Sequence, residues 1–382
     1  MMTAIRSDRI ILADGLLDGY VYYSDGKILE VSAEKKPCDS LLDCKGLYVS
    51  PGFIDLHTHG GKGIAFDNCT LEEAVQCCEF HMQHGTTTLL PTFSAAPIGE
   101  MERSSQLIGQ VMDGGEAPVC IPGVHMEGPY LSANQAGAQR PGVITPPIAQ
   151  DYLPLTERCG KYIRRWSYAP ENDKAQAFAR HLKEHGILAS AGHTDARYEE
   201  LEPAFRQGCS LITHLYSCTS TVTREKGFRH LGVIETAWLL PEMDVEIIAD
   251  GKHLPPELIS MIVRIKGREH VALCTDSLPP AGLDVKEGIM SGTPYVVEDG
   301  VAKLPDRSAF AGSIATTDRL VRVLTKECGI SLFDAVYMMS TTPARILGLP
   351  KGKLEAGMDA DIIVFDDDIQ VQTVITGGIR RI

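Results

Sequence analysis

Long apolar runs are missing from this 382-residue sequence. Charged or polar residues interrupt every apolar stretch well before the roughly 20 residues that a membrane-spanning helix needs. The first residues also lack the apolar centre of a secretion signal, because Asp8 and Asp14 enclose only a short apolar run. We therefore expect a protein that neither spans a membrane nor binds to one.

Basic residues are also in short supply, with 36 Lys and Arg against 50 Asp and Glu and a formal net charge of -14. A negative surface repels the phosphate backbone of nucleic acids and the surface of anionic membranes. We therefore expect no nucleic-acid partner. A small anionic substrate remains compatible with this charge, because a few local basic groups are enough to bind it.

The 11 cysteines are an odd number, are scattered, and form no Cys-x-x-Cys pair. This distribution is typical of reduced thiols in a cytoplasm, and it argues against a disulfide framework or a zinc ribbon. The expected location is therefore the cytoplasm.

Apolar strand patterns alternate with amphipathic helix patterns through the middle of the chain. Helix patterns cover residues 71–84, 173–185 and 256–266. A glycine-rich nucleotide fingerprint after the first strand is absent, which disfavours a doubly wound open sheet. Eight strands followed by helices predict an α/β fold, a (β/α)8 barrel over residues 51–347. The eight predicted strands are residues 52–57, 86–90, 121–127, 162–169, 187–193, 210–214, 245–250 and 271–276.

Both ends of the chain contain short strand patterns instead. An Asp25-Gly26 turn separates two such patterns near the start, and a Gly377-Gly378 turn follows two more near the end. Chain termini commonly lie close together in folded domains. The sequence therefore predicts one small β domain, a β-sandwich built from residues 1–50 and 348–382.

His57 and His59 lie two residues apart near the end of the first predicted barrel strand. Because alternate side chains of a strand point to the same face, both imidazoles project together. Two converging imidazoles are half of a divalent-metal site. A pair of ordinary surface or core histidines is the alternative, so the interpretation depends on finding further ligands.

Further polar residues lie at or just beyond other predicted strands, namely Glu127, His193, His214 and Asp276. The carboxyl ends of barrel strands meet at one mouth, where the active site of such barrels is built. Together with the first two histidines, these residues could hold one or two cations, with Glu127 as a bridge. Such cations polarise a substrate carbonyl and lower the pKa of a water towards about 7, and Asp276 could then act as general base.

The remaining histidines carry weaker signals. His125 shares a strand face with Glu127, and we expect it to support the site or to pack beside it. The histidines of the helix patterns are expected to face solvent: His81, His84, His181 and His185.

Several motifs resemble a known family. Residues 51–60 resemble the first-strand signature of the amidohydrolase superfamily. More narrowly, residues 123–131, 191–196, 213–216, 248–253, 275–276, 311–313 and 352–361 resemble the N-acetylglucosamine-6-phosphate deacetylases. The resemblance implies a distorted (β/α)8 barrel beside a small β-sandwich, usually in a homodimer. It also implies hydrolysis of the acetamide of an amino-sugar 6-phosphate to acetate and the free amine.

The resemblance also implies roles for individual residues. Glu127, His193 and His214 would bind the main metal, His57 and His59 a second one, and Asp276 would be the acid and base. Zinc is the first expectation for the metal, with iron, manganese or cobalt as alternatives. Arg224 matches a family arginine that reaches the phosphate across the dimer interface, with Arg229 as a competitor. The positions matching substrate contacts are Ala138, Gln139, Ser217, Cys218, Arg224, Asp250, His253, Phe310, Ala311 and Gly312.

Two departures from the family pattern fall on substrate-contacting positions. Ser217-Cys218-Thr219 replaces the usual Asn-Ala-Met, and Gln139 replaces a histidine. The substrate could therefore be N-acetylgalactosamine 6-phosphate, an unphosphorylated sugar or another N-acyl amine, and a non-catalytic binding protein is a further alternative. Glu127 within Glu-Gly-Pro disfavours a cyclic-amide hydrolase or a base deaminase.

Overall fold

The computed structural model describes residues 1–140 and 142–382. The α-helices in chain order are α1 (Leu71–Gln83), α2 (Ile98–Gly114), α3 (Ala149–Cys159), α4 (Ala177–Glu184), α5 (Tyr198–Arg206), α6 (Val233–Leu239), α7 (Pro256–Lys266), α8 (Thr317–Lys326), α9 (Leu332–Val336) and α10 (Thr342–Leu347). The strands in chain order are β1 (Thr3–Leu12), β2 (Gly15–Ser24), β3 (Lys27–Ser32), β4 (Ser40–Asp43), β5 (Tyr48–Pro51), β6 (Phe53–Thr58), β7 (Gly60–Gly61), β8 (Ile64–Ala65), β9 (Thr86–Phe93), β10 (Val124–Glu127), β11 (Ile163–Tyr168), β12 (Leu188–Ala191), β13 (Cys209–Ile212), β14 (Thr223–Glu225), β15 (Phe228–His230), β16 (Asp244–Ile248), β17 (Val271–Cys274), β18 (Glu287–Met290), β19 (Thr293–Glu298), β20 (Val301–Lys303), β21 (Phe310–Gly312), β22 (Ile362–Phe365), β23 (Val371–Thr376) and β24 (Ile379–Arg380).

Eight parallel strands form the centre of the molecule, in the order β17-β16-β13-β12-β11-β10-β9-β6. Each one falls on a strand predicted from the sequence. Strands β6, β9, β10, β16 and β17 are buried along their whole length, because side chains fill the barrel on one face and helices cover the other. The predicted (β/α)8 barrel is therefore confirmed.

Contacts between β6 and β17 complete the barrel. The Thr275 hydroxyl donates to Asp55 at 2.6 Å, and the Thr275 backbone N–H donates to the same carboxylate at 3.1 Å. One residue further on, the backbone N–H of Asp276 donates to the carbonyl of His57 at 2.9 Å. Burial raises the pKa of Asp55 to about 7, although these hydrogen bonds oppose the shift. The two outermost strands are thus joined at the end where the polar residues of the barrel lie.

Both termini contribute to a second, mostly antiparallel sheet in the order β24-β23-β22-β5-β1-β2-β3, with β4 on β1. Strand β5 from the first part of the chain pairs antiparallel with β22 from the last part. The strands of this sheet lie within residues 3–51 and 362–380, which confirms the predicted domain built from both ends. Its division from the barrel at residues 50 and 348 remains a prediction. Its core includes Ile5, Ile10, Val21, Val49, Ile362, Val364 and Ile375.

An ion cluster, buried at Lys351 and Asp361 and exposed at Lys27, joins the two ends of the chain. The Lys351 ammonium lies 2.5 Å from Asp361 and 2.9 Å from Asp359, and Lys27 near the start of β3 lies 2.5 Å from Asp359. Burial alone would lower the pKa of Lys351, but the two carboxylates outweigh it and raise that pKa. The Lys351 ammonium therefore stays charged at neutral pH.

Three small sheets were not predicted, and the shortest of them pairs β7 with β8. Strands β18 to β21 form a four-stranded antiparallel sheet between the last barrel strand and α8, and β14 pairs with β15 as a hairpin. Among the described residues, none of the helices combines the length and the apolar character that crossing a membrane requires.

Candidate active site

Four of the polar residues predicted for the site lie where barrel strands end. Glu127 is the last residue of β10, whereas His193, His214 and Asp276 each follow a strand by two residues. These last three have positive backbone φ angles of 48°, 28° and 47°. Residues other than glycine seldom adopt this conformation, and it is concentrated at functional sites.

The predicted ligands converge around the Glu127 carboxylate. Its Oε1 lies 3.2 Å from His193 Nε2 and 3.0 Å from His214 Nε2, and its Oε2 lies 3.2 Å from His59 Nε2. His57 Nε2 lies 3.2 Å from His59 Nε2 and 3.4 Å from an oxygen of Asp276. The structure thus brings all six predicted residues together at one end of the barrel.

Backbone carbonyls behind two of the imidazoles show which ring nitrogen faces this cluster. Nδ1 of His193 lies 2.8 Å from the Gln135 carbonyl, and Nδ1 of His214 lies 3.1 Å from the Ser217 carbonyl. A carbonyl only accepts, so each Nδ1 carries a hydrogen, and Nε2 faces Glu127 as a donor when the ring is protonated and with its lone pair when the ring is neutral. In a neutral ring each Nε2 can ligate a cation together with the Glu127 oxygen about 3 Å away, and the donor set therefore fits a divalent metal.

The electrostatics of the cluster agree with that fit. Burial acts to lower the pKa of His57 and His59, but Glu127 and Asp276 outweigh it and raise the two values to about 9 and about 10. Burial acts to raise the pKa of both carboxyls, and the imidazoles around them lower it instead. Two buried carboxylates therefore draw positive charge into the site. Two sets of donor atoms that could hold an ion are His57, His59 and Asp276, and His57, Glu127 and His214.

A buried ion pair behind His57 was missed in the sequence. His57 Nδ1 lies 3.2 Å from Glu246 Oε1, which also accepts from Arg165 at 3.1 Å. Burial would raise the pKa of Glu246, but Arg165 and His57 lower it strongly. The only available signal was the pair of charged residues in each of two strands, two arginines in β11 and two carboxylates in β16.

Gln139 was predicted to contact substrate, but its amide is engaged within the protein. Its Nε2 donates to Glu127 Oε2 at 2.7 Å, and its Oε1 accepts from the backbone N–H of Ala95 at 2.7 Å. A carboxylate can only accept and a backbone N–H can only donate, so the amide orientation is fixed. Gln139 therefore orients the carboxylate that lies at the centre of the cluster.

A cavity of about 260 Å³ opens above the cluster. His253 lies in its wall, and Asp250 behind it accepts from His253 Nδ1 at 2.9 Å. Burial would raise the pKa of Asp250, but the hydrogen bond from His253 lowers it. The other predicted contacts in the wall are Ala138, Gln139, Ser217, Cys218, Phe310, Ala311 and Gly312.

Arg224 and Arg229 lie elsewhere. They face each other across the exposed β14–β15 hairpin, and Arg224 lines a separate cavity with Asp195 and Glu225. Neither arginine lines the cavity above the cluster, and their predicted contact with a phosphate remains a prediction.

Two further histidines lie close to the site. His81 was expected to face solvent, and that prediction is wrong: the side chain is fully buried, and its Nε2 lies 3.1 Å from the Gly60 carbonyl. It lies on the inner face of α1, against the loop that follows β6. His125 packs edge-on against His57 with ring centroids 4.6 Å apart, and its Nε2 lies 2.7 Å from the Ser167 hydroxyl.

Comparison with known proteins places this architecture in a family. Residues 48–380 match the amidohydrolase family. The chain is 30% identical to an N-acetylglucosamine-6-phosphate deacetylase from Lysinibacillus sphaericus over 98% of this chain and 97% of that protein. It is 32% identical to an N-acetylgalactosamine-6-phosphate deacetylase from Shewanella over 86% of this chain and 81% of that protein.

A solved structure gives the same result. The N-acetyl-D-glucosamine-6-phosphate deacetylase from Mycobacterium smegmatis, in a mutant form complexed with N-acetyl-D-glucosamine-6-phosphate, matches with a TM-score of 0.92 and 28% identity over 99% of both chains. The chain therefore belongs to the amidohydrolase family and, within it, to the N-acetylglucosamine-6-phosphate deacetylases that its motifs resemble.

Proposed function

We propose that this protein hydrolyses the acetamide of an N-acetyl amino-sugar 6-phosphate, with N-acetylglucosamine 6-phosphate as the first candidate, to acetate and the amino-sugar phosphate. The observation that carries the proposal is the convergence of four imidazoles on Glu127, with Asp276 beside two of them, beneath a cavity large enough for a sugar. The names of the relatives supply the substrate class.

One or two divalent cations fit the donor set. Glu127, His193 and His214 would hold one cation, and His57 and His59, with Asp276 beside them, would hold the other. Imidazole and carboxylate suit zinc, iron, manganese and cobalt, and zinc is the first expectation. When bound, such a cation polarises the substrate carbonyl and lowers the pKa of a water molecule.

Asp276 is the proposed general base and acid. Because its pKa is held below the ordinary value by His57 and His59, its carboxylate is ionised at neutral pH and can accept a proton. It takes the proton of the attacking water and delivers it to the amine nitrogen that leaves. Its side chain lines the cavity, where both transfers take place.

His253 is proposed to stabilise the negative charge that develops on the carbonyl oxygen. Asp250 accepts from Nδ1 and so fixes the ring orientation. The ring lines the cavity, where a preorganised donor can stabilise an oxyanion.

The mechanism is tested by Asp276→Asn. The amide fills the same space but cannot accept the proton, so we expect kcat to fall by about 10² to 10⁴-fold. Metal content and the thermal unfolding temperature should stay close to wild type, because the change preserves shape. Near-normal turnover in this variant would contradict the assignment of Asp276.

The sugar is tested by acetate release from four substrates: N-acetylglucosamine and N-acetylgalactosamine, each with and without a 6-phosphate. N-acetylgalactosamine 6-phosphate is the second candidate, because one of the similar relatives is named for it. We expect the phosphorylated glucosamine derivative to give the highest kcat/KM. A higher kcat/KM for N-acetylgalactosamine 6-phosphate would leave the proposed deacetylation unchanged and would replace N-acetylglucosamine 6-phosphate as the substrate.

The homodimer and the cytoplasmic location remain predictions. Light scattering of the purified protein measures the first. A dimer in which Arg224 of one protomer approaches the cavity of its partner would agree with the role inferred from the family.

A further inference from the structure

The ion pair behind His57 lies inside the barrel, away from the catalytic cavity. Arg165 of β11 and Glu246 of β16 form it, and both side chains are fully buried. The guanidinium of Arg165 donates to both carboxylate oxygens of Glu246, to one of them through Nη2 at 3.1 Å. Taking two charges out of water is unfavourable, and apolar side chains of similar volume commonly serve stability as well or better. Stability alone therefore gives no reason for this pair.

The guanidinium of Arg165 is fixed in position by its hydrogen bonds. Two of its five N–H groups donate to Glu246. The other three donate to the Ser190 hydroxyl at 3.0 Å, the Leu56 carbonyl at 3.1 Å and the Thr213 hydroxyl at 3.0 Å. Two of these acceptors belong to the residues directly before His57 and His214 in the chain. The ion pair is therefore built into the strand ends from which candidate metal ligands project.

Glu246 contacts the imidazole of His57. Its Oε1 lies 3.2 Å from His57 Nδ1, and the same oxygen accepts from the His214 backbone N–H at 3.3 Å. A carboxylate paired with a guanidinium only accepts hydrogen bonds, so His57 Nδ1 carries a hydrogen. Nε2 is then the ring nitrogen left to ligate a cation. It faces the cluster, 3.2 Å from His59 Nε2 and 3.4 Å from an oxygen of Asp276.

The partner behind His57 differs from the partners behind the other candidate ligands. Nδ1 of His193 and Nδ1 of His214 face backbone carbonyls, and Nδ1 of His59 lies 3.4 Å from a serine hydroxyl. His57 has a carboxylate in that place. A charged acceptor holds a ring more strongly than a neutral one, and it makes the ligating nitrogen a better donor to a metal.

We infer that Glu246, held in place by Arg165, is a positioning residue for the second cation, the one assigned to His57 and His59. Through His57 it sets the affinity of that half of the site, and so whether one cation or two are bound. The inference rests on the two-cation site of the proposed function, but not on the identity of the sugar. Neither residue belongs to a motif that carried the family resemblance.

Two double variants test this role, and neither leaves an unpaired charge inside the barrel. Arg165→Met/Glu246→Leu has no acceptor behind His57. Arg165→Met/Glu246→Gln is the matched control, because the amide oxygen can still accept from Nδ1–H. Replacing a buried ion pair by uncharged side chains of similar volume often leaves stability unchanged or raises it, so both variants should fold. The measurement is the number of zinc ions per chain, by elemental analysis after equilibration with buffers of fixed free zinc.

Wild type should bind a second zinc ion as the free concentration rises. We expect the Kd for this second ion to be about 10- to 100-fold higher in the leucine double variant than in the glutamine double variant. The first ion, assigned to Glu127, His193 and His214, should keep a Kd near that of wild type, because backbone carbonyls orient its two imidazoles. High free zinc should restore the second ion in both variants, whereas a misfolded site would not recover.

Equal Kd values for the second ion in the two double variants overturn the inference. A wild type that binds one zinc ion at every concentration also overturns it, and in both cases the deacetylase function stands. If the leucine variant fails to fold, the comparison of the glutamine variant with wild type decides. An amide is a weaker acceptor than a carboxylate, so the Kd for the second ion should still rise by about threefold, and an unchanged value overturns the role of Glu246.

This measurement does not depend on turnover. A wild type that releases no acetate from the four sugars, but shows the expected difference between the double variants, would contradict the proposed function and support the role of Glu246.

Discussion

One carboxylate oxygen of Glu127 accepts a hydrogen bond from the side-chain amide of Gln139. The role of this hydrogen bond can be tested by measuring metal affinity instead of turnover. Gln139→Leu removes two hydrogen bonds of 2.7 Å each, the one that the amide donates to Glu127 and the one that it accepts from the Ala95 N–H. Residues that orient metal ligands typically change affinity by about 10- to 100-fold. We expect the Kd for zinc, measured by competition with a chromophoric chelator, to rise by that amount.

Gln135→Leu is the control for this prediction. Its side chain donates to Asp195 at 2.5 Å, and its contact with His193 is made by the backbone carbonyl, which the substitution retains. Its metal affinity should therefore stay near wild type. Equal affinities in Gln139→Leu and wild type would mean that Glu127 holds its position without the amide.

The candidate ligands could be predicted as residues, whereas their supporting partners could not. His57, His59, Glu127 and the later residues of the set were identified because polar side chains at the ends of apolar strands stand out in a barrel pattern. The Arg165–Glu246 pair joins residues 81 positions apart, and it depends on the register of strands that the sequence leaves open. Such contacts follow from packing, not from local pattern.

At the scale of elements, regular strands and helices were predicted better than short antiparallel pieces. The eight barrel strands are apolar runs bounded by turns, and α7 has the predicted bounds of residues 256–266. Strands β18 and β19 were missed because most of their residues are partly or fully exposed. Their sequences therefore lack the regular alternation of apolar and polar residues that indicates a strand. These strands nevertheless supply part of the cavity wall through Met290 and Thr293.

Lys266, the last residue of α7, fixes the end of a neighbouring helix. Its ammonium donates to the carbonyls of Ala237, Leu240 and Pro241 at 3.2, 3.0 and 2.9 Å, at and just beyond the end of α6. Carbonyls at a helix end lack partners within the helix and attract positive charge. We expect Lys266→Met to lower the free energy of unfolding in urea at pH 7 by about 1 to 3 kcal/mol.

The same lysine gives a pH dependence. Burial lowers the pKa of Lys266 from 10.5 to about 8. The folded chain therefore releases this proton near pH 8 and the unfolded chain only near pH 10.5, so between these values the unfolded state binds more protons and stability rises with pH. The stability difference between wild type and Lys266→Met should widen from pH 7 to pH 10. Arg264→Met, on the exposed face of α7, should show no such change.

At the scale of the whole molecule, the metal should contribute to stability as well as to chemistry. Glu127 and Asp276 are buried within the barrel, and both contact His57, which lies on β6 at the closure with β17. A ligand that binds only the folded state stabilises it by about 4 kcal/mol at a thousandfold excess over Kd. Removing the metal with a chelator should therefore lower the unfolding temperature.

For a domain of this size the expected decrease is roughly 5 to 10 °C, measured by calorimetry before and after chelation and again after zinc is restored. Protonation of His57 and His59, whose pKa values lie at about 9 and about 10, compensates part of the lost charge and limits the decrease. His193→Asn removes one ligand and should show a smaller response to the chelator. If chelation abolishes activity but leaves the unfolding temperature unchanged, the catalytic metal is not held by this buried cluster.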